Sequence, residues 1–145
     1  MSGHSHFAES VEEYLEAIYR LEREGPGVTT SGLATMLGVA PASVSGMLKK
    51  LDKDGYVTYV ARGEAKLTQK GCDIGVRILR RHRLAERLLT DVLGMNGDEV
   101  HAEACMLEHA ISQRVEDRLV KLLGDPKTCP HGHPLPQRGD GDDEP

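Results

Sequence analysis

Apolar residues along this chain recur mostly at helical spacing. Over residues 8–24, Val11, Tyr14, Leu15, Ile18, Tyr19 and Leu21 form one stripe, which predicts an amphipathic helix that Gly25-Pro26-Gly27 ends. Thr29 or Thr30 then caps a short helix running to Leu37, with Leu33, Met36 and Leu37 inward. Gly38-Val39-Ala40 makes a tight turn. Pro41 suits the first turn of a third helix, whose Val44, Met47, Leu48 and Leu51 keep helical spacing until Gly55 stops it. The pattern then changes. Tyr56–Val60 and Ala65–Thr68 are short β-favouring runs around Arg62-Gly63-Glu64 and predict a hairpin. Helical spacing returns over Gln69–Leu93, closed by Gly94, and continues in helices over Asp98–Ala110 and Ser112–Leu123. Beyond Asp125 the chain is rich in Pro, Gly and Asp, and its last residues are expected to be disordered. The fold class is therefore mainly α. The expected division is a winged helix-turn-helix over 1–73, an all-helical domain over 74–136 and an acidic tail over 137–145.

Composition narrows the setting. With no Trp and a single Phe, the core must be aliphatic. No apolar run reaches the ~18 residues of a membrane span, and the first residues lack a basic region followed by an apolar stretch. Cys72, Cys105 and Cys129 are an odd, widely spaced set, which argues against a disulfide framework and for a reducing cytoplasm. The net charge of −5 hides a segregation: Pro41–His82 carries nine basic residues against four acidic ones, a local net charge of +5 inside an acidic chain.

That basic stretch coincides with the helix-turn-helix. A helix entering a DNA major groove needs short polar side chains near its start and cations further along, to approach base edges and anchor on phosphates. Pro41, Ala42, Ser43, Ser45 and Gly46 meet the first need, and Lys49, Lys50 and Lys53 the second; Thr30 on the preceding helix and Arg62 in the hairpin are further candidates for touching the DNA backbone. A lysine run is by itself an ordinary solvated face. The coincidence of turn, wing and charge segregation favours the DNA reading.

The second half concentrates metal-ligand side chains where helices normally present aliphatic ones. His82 and Glu86 stand four apart; His101, Cys105, Glu108 and His109 stand at i, i+4, i+7 and i+8, one face of a helix. Singly, each has a plain reading: His82 as a solvated neighbour of arginines, Glu86 as a partner of Arg83 or Arg87, Cys105 as a small core residue. Together, imidazole, thiolate and carboxylate suit a first-row divalent ion. One helix cannot saturate such an ion, and Glu13 and Glu16 of the first helix are candidates for the missing ligands. Cys105 with His109 also invites a nucleophile-and-base reading, but no glycine-rich loop or oxyanion arrangement accompanies them, so no enzyme and no small organic substrate is expected.

The runs Arg81-His-Arg-Leu-Ala-Glu-Arg-Leu-Leu-Thr-Asp-Val-Leu-Gly94 and Val100-His-Ala-Glu-Ala-Cys105, followed by Glu108-His109, closely resemble the diphtheria toxin repressor family of iron- and manganese-dependent repressors over roughly residues 8–136. The resemblance implies a homodimer built on the second-half helices, operator DNA as partner, and metal as corepressor at two sites per subunit. It assigns His82, Glu86 and His101 to an ancillary site and Cys105, Glu108 and His109 to a primary site completed from the first helix. There this chain has Glu13, a carboxylate as in the manganese-sensing branch, while Cys105 matches the iron-sensing branch. The long motifs favour Fe²⁺, with Mn²⁺ next and Co²⁺, Ni²⁺ or Zn²⁺ as substitutes. Many members carry a third, SH3-like domain that supplies further ancillary ligands; this chain is expected to be the two-domain form. Gly46 departs from the longer base-reading residue the resemblance suggests. Cys129-Pro-His-Gly-His133 reads as a structural turn rather than a ligand set, and His4 and His6 as adventitious ligands at most.

The expected mechanism is linkage: metal draws Glu13 or Glu16 onto the site and fixes the two DNA-binding modules of a dimer for major grooves ~34 Å apart. The alternative is a winged-helix regulator whose His/Cys stripe holds structural zinc or a small effector.

Overall fold

The computed structural model describes residues 6–25, 27–60 and 63–136; Arg62, His4 and the acidic tail 137–145 lie outside them. The chain forms two compact units that part at Val76 and Arg77.

In the N-terminal unit, α1 (His6–Glu24), α2 (Thr30–Leu37) and α3 (Pro41–Lys53) precede strands β1 (Val57–Tyr59) and β2 (Ala65–Leu67). Thr29 caps α2, its hydroxyl accepting from the Gly32 N–H at 3.0 Å. Gly38 closes the helix in the left-handed region (φ 68°), a conformation open to glycine, and this sets the turn into α3. Pro41 opens α3 where a missing N–H costs nothing. The strands pair antiparallel, Val57 opposite Leu67 and Tyr59 opposite Ala65. The hairpin is stitched to α1 and to the α1–α2 connection: Glu22 of α1 accepts from the Leu67 N–H at 3.0 Å, and Ala65 N–H donates to the Val28 carbonyl at 2.9 Å. Leu15, Ile18, Leu33, Val44, Leu48, Leu51 and Val57 form the core.

The next helix, α4 (Gln69–Arg87), runs across the boundary. It packs close to the entry of β1 through Gly71: a Cβ there would stand 2.0 Å from the Tyr56 carbonyl oxygen, so only glycine allows the approach. The sequence predicts regular helix to Leu93. Instead α4 ends at Arg87 and passes into a π-helical turn, Leu88–Val92, in which Leu93 N–H bonds back to the Leu88 carbonyl before Gly94 (φ 70°) terminates it.

The C-terminal unit continues with α5 (Asp98–Leu107) and α6 (Gln113–Leu123). Here too the expected helix, to Ala110, is longer than the observed one; residues 108–110 form a turn, although Glu108 N–H still reaches the Ala104 carbonyl at 2.9 Å. Leu84, Leu89, Val100, Ala104, Ile111 and Leu119 form a second apolar core. Among the described residues no single helix is long and apolar enough to cross a membrane.

Candidate functional site

Two sites stand out, one in each unit. In the N-terminal unit the inner face of α3 is Val44, Leu48 and Leu51, all fully buried, which leaves Pro41, Ala42, Ser43, Gly46, Lys49 and Lys50 exposed on the opposite face, with Ser45 and Thr30 half-buried. The outer face therefore carries small side chains first and cations after. Tyr59 joins this face without any signal in the sequence pattern, since an isolated Tyr in a β-run is ordinary. Its hydroxyl is held by Thr30 and Ser45, which together with Lys49 favour its ionised form and bring its pKa below the ordinary tyrosine value. Thus β1, α2 and α3 share one polar cluster at the edge of the helix face. Arg62 lies outside the described residues.

Part of the basic stretch turns out not to be surface at all. Arg80 and Arg81 are buried, and both bond Glu116 of α6: Arg80 Nε to Oε2 at 3.1 Å and Arg81 Nε to Oε1 at 2.8 Å. Burial opposes ionisation of Glu116, but the two guanidinium groups outweigh it and hold its pKa below the usual 4.5. These arginines are the buried partners of a carboxylate and not part of an exposed basic face. The reason is tertiary: their partner lies 35 or 36 residues away.

The metal-ligand candidates of the C-terminal unit converge on His82. Its Nδ1 meets Glu108 Oε1 at 2.6 Å and its Nε2 meets Glu86 Oε2 at 3.5 Å. Glu108 reaches His109 Nε2 with its other oxygen at 3.4 Å. His82, His101 and Cys105 each offer a donor atom within 4.8 Å of the others, and Cys105 Sγ is 3.5 Å from His101 Nε2. The two triads implied by the resemblance are thus one continuous group, with His82 touching members of both. His82, Glu86, Glu108 and His109 are buried, while His101 is exposed and Cys105 intermediate. Burial lowers the His82 pKa, but hydrogen bonds with Cys105, Glu108 and Glu86 prevail and push it up to about 12. Glu86 is desolvated as well, yet His82, His131 and His101 hold its pKa below the usual range.

The donor set fits a divalent transition ion. Two buried carboxylates, two buried imidazoles, a thiol and an outer imidazole are an unusual interior, and soft and hard donors side by side suit Fe²⁺, Mn²⁺, Co²⁺ or Zn²⁺ better than Ca²⁺ or Mg²⁺. Glu13 and Glu16 lie on α1 in the N-terminal unit; Glu13 is exposed, and Glu16 is buried with Arg20 4.0 Å away.

Comparison with known proteins agrees with both halves. Residues 6–65 match the N-terminal DNA-binding domain of iron-dependent repressors, and residues 68–137 match the metal-binding and dimerisation domain of the same proteins. The chain is 42% identical over 128 residues to the iron-dependent repressor IdeR of Mycobacterium tuberculosis, covering 88% of this chain and 56% of that protein. It is 39% identical to the diphtheria toxin repressor of Corynebacterium diphtheriae, covering 88% and 57%. A solved manganese-dependent transcriptional repressor in complex with manganese superposes with a TM-score of 0.81 at 38% identity, covering 88% of this chain and 58% of that one. The chain thus spans little more than half the length of these relatives. Winged helix, ligand-bearing helices and sequence together place it in the iron-dependent repressor family, of which the diphtheria toxin repressor is a member.

Proposed function

We propose that this protein is a cytoplasmic, metal-dependent transcriptional repressor, a regulator and not an enzyme, that binds operator DNA as a homodimer when Fe²⁺ or Mn²⁺ is bound. The observation that carries the reading is the buried His82–Glu86–Glu108–His109 group with Cys105 and His101 at its edge, in a chain whose other unit is a winged helix with a basic outer face. Cys105, Glu108 and His109 form the core of one ligand set, and His82, Glu86 and His101 of another; Glu13 or Glu16 is the ligand contributed by the N-terminal unit. A bound divalent cation supplies positive charge among these carboxylates. Glu108 holds the hinge of the arrangement, one oxygen on His82 and the other on His109, so a change at either imidazole is felt at both.

The proposed dimer has a surface to use. Val115 and Leu122 are exposed on α6, and with Arg114, Arg118 and Leu119 they line a shallow apolar depression; Met106 of α5 and Val92 and Leu93 are exposed as well. The apolar depression on α6 supports placing the association face there.

The test is anaerobic fluorescence anisotropy on a labelled duplex from the region upstream of the protein's own gene, with an unrelated duplex as control. One metal should tighten binding to the first duplex tenfold or more, about 1.4 kcal/mol of coupling. Glu108→Ala or His109→Ala should abolish that gain while leaving the far-UV circular dichroism unchanged. Metal dependence surviving in both variants would remove the assignment.

A further inference from the structure

The sequence predicts a structural turn after α6, and part of the segment is one. Cys129 N–H donates to the His133 carbonyl at 2.8 Å, Gly132 N–H to the Cys129 carbonyl at 2.9 Å, and Leu135 N–H to the Lys127 carbonyl at 2.8 Å. Two arginines of α4 pin this turn down: Arg87 donates to the Thr128 carbonyl at 2.8 Å and to its hydroxyl at 3.1 Å, and Arg83 donates to the Pro134 carbonyl. Those bonds need only backbone, the Thr128 hydroxyl and a glycine at position 132 (φ 89°). They do not account for a thiol and two imidazoles within five residues.

The side chains cluster where a cation would hold them. Cys129 Sγ, a His131 nitrogen and a Glu86 oxygen all lie within 4.8 Å of one another, with His131 Nδ1 3.7 Å from Glu86 Oε2. Cys129 Sγ is also 3.7 Å from His133 Nδ1. With Zn–S of about 2.3 Å and Zn–N of about 2.0–2.1 Å, two donors on one tetrahedral zinc ion stand about 3.3–3.6 Å apart. Both observed pairs are therefore within a few tenths of an ångström of ligand spacing. Glu86 and Cys129 are buried, which rules out two freely solvated groups meeting by chance. Glu86 presents the same oxygen to His82 and to His131, so the turn competes with the His82 group for it.

We infer that Glu86, Cys129, His131 and His133 form a further divalent-metal site, of the closed four-donor kind that takes a thiophilic ion such as Zn²⁺ or Co²⁺. All four ligands belong to the C-terminal unit, and the site does not depend on the DNA-binding reading. Its effect is to tie the turn to α4 through a side-chain bridge in addition to the two arginines, and to withdraw Glu86 from His82.

Cobalt reports directly on the thiolate and the geometry. The full chain, reduced and anaerobic, is titrated with Co²⁺ and followed by optical absorption, with Cys105→Ala as background so that the other candidate thiolate is gone. The Cys105→Ala protein should keep a near-ultraviolet thiolate-to-cobalt band and the intense visible bands of tetrahedral Co²⁺. Adding Cys129→Ser should remove the first, and adding His133→Ala should weaken Co²⁺ binding at least tenfold. Loss of the thiolate band in Cys105→Ala alone, or its survival in Cys105→Ala/Cys129→Ser, overturns the site. Should Cys129→Ser fail to fold, His131→Ala serves instead, since that side chain is half exposed and its removal is tolerated; unchanged Co²⁺ affinity there overturns the site equally. His133→Ala should retain metal-dependent operator binding, so failure of the turn site and failure of the repressor reading are separately visible.

Discussion

The two units of this small protein solve opposite electrostatic problems. The N-terminal unit buries an aliphatic core and, between α2 and β2, keeps its charges outside, where Lys49 and Lys50 act at a distance. The C-terminal unit draws charge inward: of the buried polar or charged residues described, all but Glu16 lie in it, as Arg80, Arg81, His82, Glu86, Glu108, His109 and Glu116. A surface that meets a polyanion works by long-range attraction that salt screens. A site for a small cation needs weak screening and desolvated donors, so its charges must be interior and must be compensated there. Buried charge is thus concentrated in the C-terminal unit, and Glu16, the one buried charge described in the other unit, is itself a candidate ligand.

Unbalancing the buried group should have the largest effect. Glu116→Ala leaves two buried guanidinium groups without their carboxylate and should cost about 3–5 kcal/mol in chemical denaturation; a loss below about 1 kcal/mol would mean that the pair is structurally idle. The matching experiment in the other unit is Leu48→Ala. It deletes fully buried methyl groups and should cost about 2–5 kcal/mol through lost burial and a residual cavity. A loss below about 1 kcal/mol would mean that the α3 core closes over the deletion.

Smaller effects sharpen the picture. Lys49→Ala and Lys50→Ala should each weaken binding to every duplex, related or not, and lower the salt slope by about 0.9 for each phosphate no longer neutralised. Sequence-selective weakening would instead mark those lysines as base readers. Last, acid should erode the C-terminal unit through Glu116. Its folded pKa is depressed, so its contribution is present above the ordinary glutamate value of 4.5 and is lost as pH falls through the lower folded value. A Glu116→Gln protein should therefore lose less stability than the parent between neutral pH and that acid range, measured by urea denaturation at each pH.

Much of this is legible in the sequence because it is local. Helix-turn-helix order, the Gly38 turn, the Pro41 start and the exposed Ser and Lys face of α3 follow from spacings of a few residues. So does the run of His101, Cys105, Glu108 and His109, together with the resemblance that its motif carries. The ends of α4 and α5 escape the same pattern for a related reason. In the sequence the periodicity continues through Leu88–Val92 and through residues 108–110, but a π-helical turn and a terminal turn break the regular ladder there, and Val92 and Leu93 stand exposed.

What the chain alone determined, then, is which residue types stand on which face of each helix, since that depends on 3.6-residue geometry and on glycine and proline stops. Only the tertiary structure decided which faces meet. It set His82 against Glu108 across 26 residues, sank Arg80 and Arg81 onto Glu116, and laid Cys129 and His131 beside Glu86. A charged side chain is surface or core according to whether a distant element brings its partner, because burying it without one costs several kcal/mol. No local pattern records that partner, and so the same run of arginines reads as a DNA-facing charge in the sequence and stands in the structure as the buried partners of Glu116.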